Sequence, residues 1–179
     1  MNKKGLRKKG QVWIETVIYT LIAFVMIGLI LSYAQPKIQQ LQDQAVIQQS
    51  IDMMKQIDST ISGMGAAGNQ RIVEITIKQG NLNVDGSGGR LFFQMDSQVQ
   101  YSEPGVPISD GDITIFTQKR SGYYNVTLTR DYSTDNYALT FDGSTNLKTL
   151  SKASTAYKLS ILNKGENTDG KTVLDFSIG

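Results

Sequence analysis

The chain has neither cysteine nor histidine among its 179 residues. It therefore cannot form disulfides, build Cys or His metal sites, or carry a Ser-His or Cys-His nucleophile. A secreted domain of this size folds without disulfides if its core is large enough, so the lack of cysteine does not define the compartment. The residue types exclude several classes of enzyme and leave binding or structural roles open.

Negative charge is missing from the first ten residues, which carry five cations and no Asp or Glu. The remainder of the chain has 13 cations against 16 anions, a net charge of −3. The basic sequence pI of about 8.7 therefore comes from the cations of these first ten residues. Nucleic acid is not indicated as a partner.

Charge is also absent from Thr16 to Ala34, a run of 19 residues rich in Leu, Ile, Val and Phe. As a helix rising about 1.5 Å per residue, the run spans roughly 28 Å, close to the hydrocarbon thickness of a bilayer. The cations before it predict a cytoplasmic N-terminus, with the rest of the chain facing outward. We expect this segment to contact lipid or other helices, through Val17, Leu21, Phe24, Ile27 and Ile30.

Glu15 stands at the edge of this apolar run. A carboxylate in such a position costs a few kcal/mol toward the membrane centre and usually needs a partner. A helix dipole at an interfacial first turn also favours a carboxylate. Both interpretations of Glu15 remain open from the residue alone.

The basic leader, Gly10, Gln11, Glu15 and the apolar run together resemble the class III signal peptide of type IV prepilins, in its archaeal form. The resemblance implies that a prepilin peptidase cuts between Gly10 and Gln11 on the cytoplasmic side. It also implies assembly of copies into a surface filament with an ATPase and a membrane platform protein. The Val12-Trp13-Ile14 segment is not Gly-rich, which favours an adhesion-type pilus over a motility filament.

A cut after Gly10 would create an α-amino group on Gln11, with an ordinary pKa of about 7.7–8. Glu15 lies four residues on, so its carboxylate shares a helix face with that amine. The amine of a neighbouring, axially shifted helix is an alternative partner. The resemblance implies that this contact registers an incoming subunit.

Two other fates of the N-terminus are possible. An ordinary signal peptide could be removed after Ser32-Tyr33-Ala34, although the apolar run is longer than usual and Pro36 lies just past that site. Alternatively, nothing is cut and the segment is a plain membrane anchor.

The helical pattern continues beyond Pro36, where we expect a kink or a short break. Residues 37–62 predict an amphipathic helix with one narrow apolar stripe, ending in a Gly-rich linker at 63–70. The stripe should hold the helix to the C-terminal domain, and a separate coiled coil is the alternative. Its members are Ile38, Leu41, Ala45, Ile47, Ile51, Met54, Ile57 and Ile61.

Residues 71–179 show about eight short alternating apolar segments separated by Gly-containing turns. This pattern predicts an antiparallel β sandwich, Ig-like or jelly-roll-like, and argues against a parallel sheet. With the helix of residues 11–62, the fold class is α+β. The resemblance implies that the first ten residues are a leader that is removed.

Candidate chemistry in the β domain is sparse. Asp110-Gly111-Asp112 offers two carboxylates without a calcium-loop ligand series, so a turn is the simpler interpretation. The Gly-rich segment that starts at Asp85 lacks the lysine of a phosphate loop and predicts a hairpin turn. Asn125-Val126-Thr127 is the only N-x-Thr acceptor for N-glycosylation. No metal, cofactor or catalytic residue is predicted.

Two functions follow from these features. The first is a pilin-like subunit that is held in the membrane and then assembled into an extracellular filament through its helix. The second is an uncleaved, membrane-anchored β domain that binds a glycan or a protein. An enzyme is not indicated, because no spacing selects an acid pair or a Ser-Lys dyad.

Overall fold

The computed structural model describes the backbone of residues 4–179 and the side chains of residues 12–179. The chain divides into two compact units, residues 1–41 and 42–179. A long apolar helix comes first and a β-rich domain with two mainly antiparallel sheets follows it. The predicted α+β layout is confirmed.

Helix α1 runs from Lys4 to Ser62. It begins before the predicted Gln11, and it contains Pro36 without interruption, so the possible break at that point is not observed. A proline removes only one backbone hydrogen bond, and the helical pattern on both sides maintains the helix. Beyond Ser62, backbone hydrogen bonds from Gly63 to Ser59 and from Met64 to Ile61 close its end.

The last five turns of α1 bury one face in the β domain. The predicted stripe is buried from Ile47 onward, whereas Ile38 and Leu41 are 52% and 67% exposed, and Ala45 is exposed as well. The stripe therefore begins about two turns later than the periodicity predicts. Its buried members are Ile47, Ile51, Met54, Ile57 and Ile61, and Met53, which the stripe did not include, is buried beside them.

Ten strands form the two sheets, rather than the eight that were predicted. The two that the pattern did not reveal are β4 and β8, which are only three and four residues long. The strands are β1 (Gln70–Ile75), β2 (Asn81–Asp85), β3 (Arg90–Ser97), β4 (Ile108–Asp110), β5 (Ile113–Lys119), β6 (Tyr124–Asp131), β7 (Tyr137–Phe141), β8 (Lys148–Ser151), β9 (Tyr157–Glu166) and β10 (Thr172–Ile178).

One sheet has four strands in the order β1-β9-β10-β7, and the other has six in the order β4-β5-β6-β3-β2-β8. All pairings are antiparallel except that of β7 with β10. A parallel pair needs a long connection between its strands. Here β8 and β9 lie between β7 and β10 in the chain, which supplies that length.

A single apolar core joins the helix to both sheets. Along β6, Val126 and Leu128 are buried, whereas Asn125, Thr127 and Thr129 are partly exposed on the opposite face. The six-stranded sheet thus has an inner face toward the core and an outer face toward solvent. The largest buried side chains of the domain include Tyr132, Phe93 and Phe176.

Candidate functional site

The first candidate site is the apolar part of α1. Every residue from Val12 to Tyr33 is exposed in the single chain. The five residues predicted to line a membrane or a filament core, Val17, Leu21, Phe24, Ile27 and Ile30, are between 47% and 69% exposed. Within the described residues, α1 is the one helix long and apolar enough to cross a membrane.

Apolar side chains cover the whole circumference of this segment. At 100° per residue, Val17, Ile18 and Ile22 point in directions spread over more than a third of a turn. Met26, Ile30 and Ile27 occupy much of the remainder. A helix that is apolar all round must be surrounded by lipid or by other helices.

The two threonines near the start of the segment satisfy their hydroxyls within the helix. Thr16 Oγ1 donates to the carbonyl of Val12 at 3.0 Å, and Thr20 Oγ1 donates to the carbonyl of Thr16 at 2.8 Å. Hydroxyls paired in this way enter an apolar environment at lower cost than free hydroxyls. Both side chains are therefore compatible with a segment that is surrounded by apolar groups.

Glu15 is exposed immediately before Thr16, in the same helix as Gly10 and Gln11. The side chains of residues 4–11 lie outside the described part of the structure, and residues 1–3 lie outside it entirely. The backbone places Gln11 and Glu15 one turn apart on one helix face. That is the spacing which the predicted amine–carboxylate contact requires.

Polar anchors attach the second part of α1 to the β domain, and the sequence pattern did not reveal them. The Asp43 side chain is buried, and its carboxylate accepts a hydrogen bond from the Gln98 backbone N–H at 2.6 Å. Asp43 lies one turn before Ile47, so it begins the buried face. Its position on the apolar side of the periodic pattern was the available signal.

The second anchor is centred on Arg130 of β6. Its Nε donates to Asp58 of α1 at 2.7 Å, and its guanidinium also pairs with Asp135. The central carbon of that guanidinium lies 4.5 Å from the centre of the Tyr132 ring. Burial lowers the pKa of Arg130, but the hydrogen bonds with Asp135 and Asp58 outweigh it and raise that pKa above its ordinary value. Arg130 therefore stays charged.

Tyr132 packs beneath that guanidinium. Its side chain is fully buried, and burial, helped by the Asp58 charge, raises the pKa of its phenol above the ordinary value. Asp58 is not a member of the predicted apolar stripe. In the structure it is the helix partner of Arg130.

The acidic turn at residues 110–112 joins β4 to β5, as its composition predicted. Asp110 pairs with Lys55 of α1 at 2.6 Å, and both side chains are more than 40% exposed. Among the described residues, no group of three or more carboxylates is arranged to hold a metal ion.

The Gly-rich segment between β2 and β3 is a hairpin turn held by its own aspartate. Asp85 accepts hydrogen bonds from the Gly88 backbone and the Ser87 hydroxyl, both at 2.9 Å, and pairs with Arg90. The Gly88 hydrogen bond, with those of Ser87 and Arg90, lowers the pKa of Asp85 despite its burial. A Cβ at Gly88 would lie 2.4 Å from the Asp85 carboxylate, so a side chain at this position would displace that carboxylate.

Asn125 is the second residue of β6 and lies on the outer face of the six-stranded sheet. It is partly exposed, and its side-chain Nδ2 donates to the Asp96 carboxylate at 2.9 Å. Burial of Val126 on the other face fixes this orientation.

Comparison of the chain with protein-family models, with curated proteins and with solved structures found no match.

Proposed function

We propose that this protein is a structural subunit of an archaeal type IV pilus-like surface filament of the adhesion type. A prepilin peptidase removes residues 1–10, and copies assemble by packing their N-terminal helices. The observation that carries the proposal is the exposed apolar surface of residues 16–33, with the acidic Glu15 immediately before it.

Such a surface is unstable in water. Apolar area contributes about 25 cal/mol per Å² on burial, and contiguous apolar patches of this kind mark membrane or subunit contacts. Lipid covers the segment before assembly, and helices of other copies cover it afterwards. Exchanging lipid contacts for helix contacts leaves the hydrophobic contribution to the free energy nearly unchanged. Helix packing and polar pairing must therefore provide the specificity of assembly.

Glu15 provides the polar pairing in this proposal. In lipid or among apolar helices, an isolated carboxylate is costly, and an ammonium group within reach relieves that cost. Cutting at Gly10 supplies this cation as the new amine of Gln11, in the same chain or in a neighbouring one. Processing and assembly are then coupled, because an uncut chain lacks the amine at this depth.

The anchors at Asp43 and Arg130 support this role from the other end of the helix. They bind α1 to the β domain through buried groups, because Asp43 accepts a hydrogen bond from the segment that follows β3 and Asp58 pairs with Arg130 of β6. An assembly ATPase and a membrane platform protein are the partners that the prepilin resemblance implies. The subunit is expected in the cell membrane first and in an extracellular filament afterwards.

The test combines imaging of cell-surface filaments with mass spectrometry of the N-terminal peptide of the purified polymer. Filaments whose subunits begin at Gln11 would support the proposal. Filaments built from subunits that still carry the leader would contradict it. A membrane-bound monomer beginning at Met1 would instead identify an anchored surface module, and a soluble one beginning at Gln35 would identify a freely secreted domain.

A further inference from the structure

The outer face of the six-stranded sheet is mostly uncharged around Asn125 and charged at the edge farthest from it. Strand register aligns its side chains in four rows, and the row farthest from Asn125 consists of Asp131, Arg90 and Asp85. The other three rows hold one charged residue, Asp96. Those three rows are Thr114, Thr129, Phe92, Asn83 and Thr149; Phe116, Thr127, Gln94, Asn81 and Ser151; and Gln118, Asn125 and Asp96.

The glycosylation acceptor lies in this face. Asn125 and Thr127 point outward together, and the Thr127 hydroxyl lies 3.4 Å from Asn125 Oδ1. An open recess of about 310 Å³ adjoins the asparagine, and amide side chains of Gln79, Asn81 and Gln94 line it together with Asp96. The sequence motif, the outward amide and the recess lined mainly by amide side chains are three separate features of one place.

We infer that Asn125 carries an N-linked glycan that lies against this outer face. The amide Nδ2 forms a bond to C1 of the reducing-end sugar of a lipid-linked glycosyl phosphate donor. The bond from C1 to the phosphate oxygen breaks, the lipid phosphate leaves with the electron pair, and the amide loses one proton. No oxidant or reductant is needed.

The local contacts are compatible with the product. A glycosylated amide keeps one N–H, so the hydrogen bond from Asn125 to Asp96 can persist. Most side chains around Asn125 are amides and hydroxyls, which exchange hydrogen bonds with sugar hydroxyls without desolvating a charge. Asp96 is the one charged residue of the three nearest rows. The two aromatic residues of the face, Phe92 and Phe116, are partly buried and offer apolar area to sugar ring faces.

This inference requires export of the β domain but not polymerisation, so it can fail or succeed independently of the proposed filament. The experiment measures the intact mass of the full chain purified from the cells that produce it naturally. The matched variants are Thr127→Ser, which keeps the acceptor motif, Thr127→Val, which destroys it while leaving Asn125, and Asn125→Gln. Thr129→Val is a control on the same strand and face.

We expect a mass increase, in steps of sugar residues, for the wild type, Thr127→Ser and Thr129→Val. We expect the bare chain mass for Thr127→Val and Asn125→Gln. Fragmentation of the wild-type peptide that contains Asn125 locates the sugar without any variant, which guards against misfolded mutants. A bare wild-type chain, or an adduct that persists in Thr127→Val, would overturn the inference.

Discussion

Arg130 of β6 donates a hydrogen bond from Nε to the Asp58 carboxylate of α1 at 2.7 Å, where both side chains are largely buried. This pair joins the C-terminal turns of the helix to the centre of the six-stranded sheet. Tyr132 and Asp135 complete its surroundings. The link matters because the helix is the element through which the subunit is proposed to assemble.

Replacing Arg130 with Met should destabilise the domain by about 3 kcal/mol, because Asp58 would keep a largely buried charge without its cation. The free energy of unfolding is measurable by denaturant titration of the full chain in detergent, followed by near-UV circular dichroism. Lys55→Met is the matched control, since Lys55 also joins α1 to the sheet through an aspartate.

The side chains of Lys55 and Asp110 are each more than 40% exposed, so loss of their ion pair should lower the free energy of unfolding by less than about 1 kcal/mol. The double variant of Arg130→Met with Asp58→Asn should lose less than the sum of the two single variants. Equal losses from Arg130→Met and Lys55→Met would show that burial does not determine the strength of these links.

Acid should unfold the β domain progressively below about pH 4. Hydrogen bonds lower the pKa of Asp85, Asp131 and Asp175 in the folded state. For Asp175, burial acts in the opposite direction, and Lys164, Thr140 and Gly143 outweigh it. The unfolded state then binds more protons, so stability that is present above the ordinary aspartate pKa of 3.8 is lost as pH falls through the lower folded value.

Asp175→Asn tests this linkage. We expect it to lose about 1–2 kcal/mol at pH 7, because three donors lose a charged acceptor, and to show a smaller further loss between pH 7 and pH 3. Thermal melting at the two pH values measures both effects. Asp169→Asn, in an exposed turn, is the control, and an identical pH response of the two variants would contradict the assignment.

Gly10→Leu should prevent processing and retain the full-length chain in the membrane, because a peptidase that cuts after glycine has no room for a branched side chain. Immunoblots and peptide mass spectrometry of membrane fractions distinguish the cut from the uncut N-terminus. Gly5→Leu, in the same leader but away from the proposed cut, should be processed normally. Efficient removal of residues 1–10 from Gly10→Leu would rule out this site.

Glu15→Val should leave membrane insertion unchanged or improved while reducing filament yield roughly tenfold, since a pairing worth about 1.4 kcal/mol changes an association constant by that factor. Yield is measured as sheared surface polymer relative to subunit in the membrane. Thr16→Val, the adjacent substitution, removes a hydroxyl already bonded within the helix and should assemble normally. Normal polymer from Glu15→Val would dismiss the pairing of Glu15 with the amine.

The periodicity of the chain predicted most of the fold because burial imposes regular spacing. Alternation located eight of the ten strands, and turn residues located the hairpin held by Asp85. The strands β4 and β8 are too short for alternation to distinguish them from a loop. The β7–β10 pairing depends on contacts between distant segments, which no local pattern records.

The candidate sites divide in the same way. An uncharged run with Glu15 at its edge is visible in the residues alone. Hydrophobicity and charge are local properties of a segment, and they determine directly whether it enters a membrane or a helix bundle. Asp58 and Arg130 look like ordinary surface residues in the sequence, and only the spacing of Asp43 from Ile47 marks it as different. Only the packing of α1 against the sheet buries their charges and makes them partners, because desolvation depends on which distant segments surround a group.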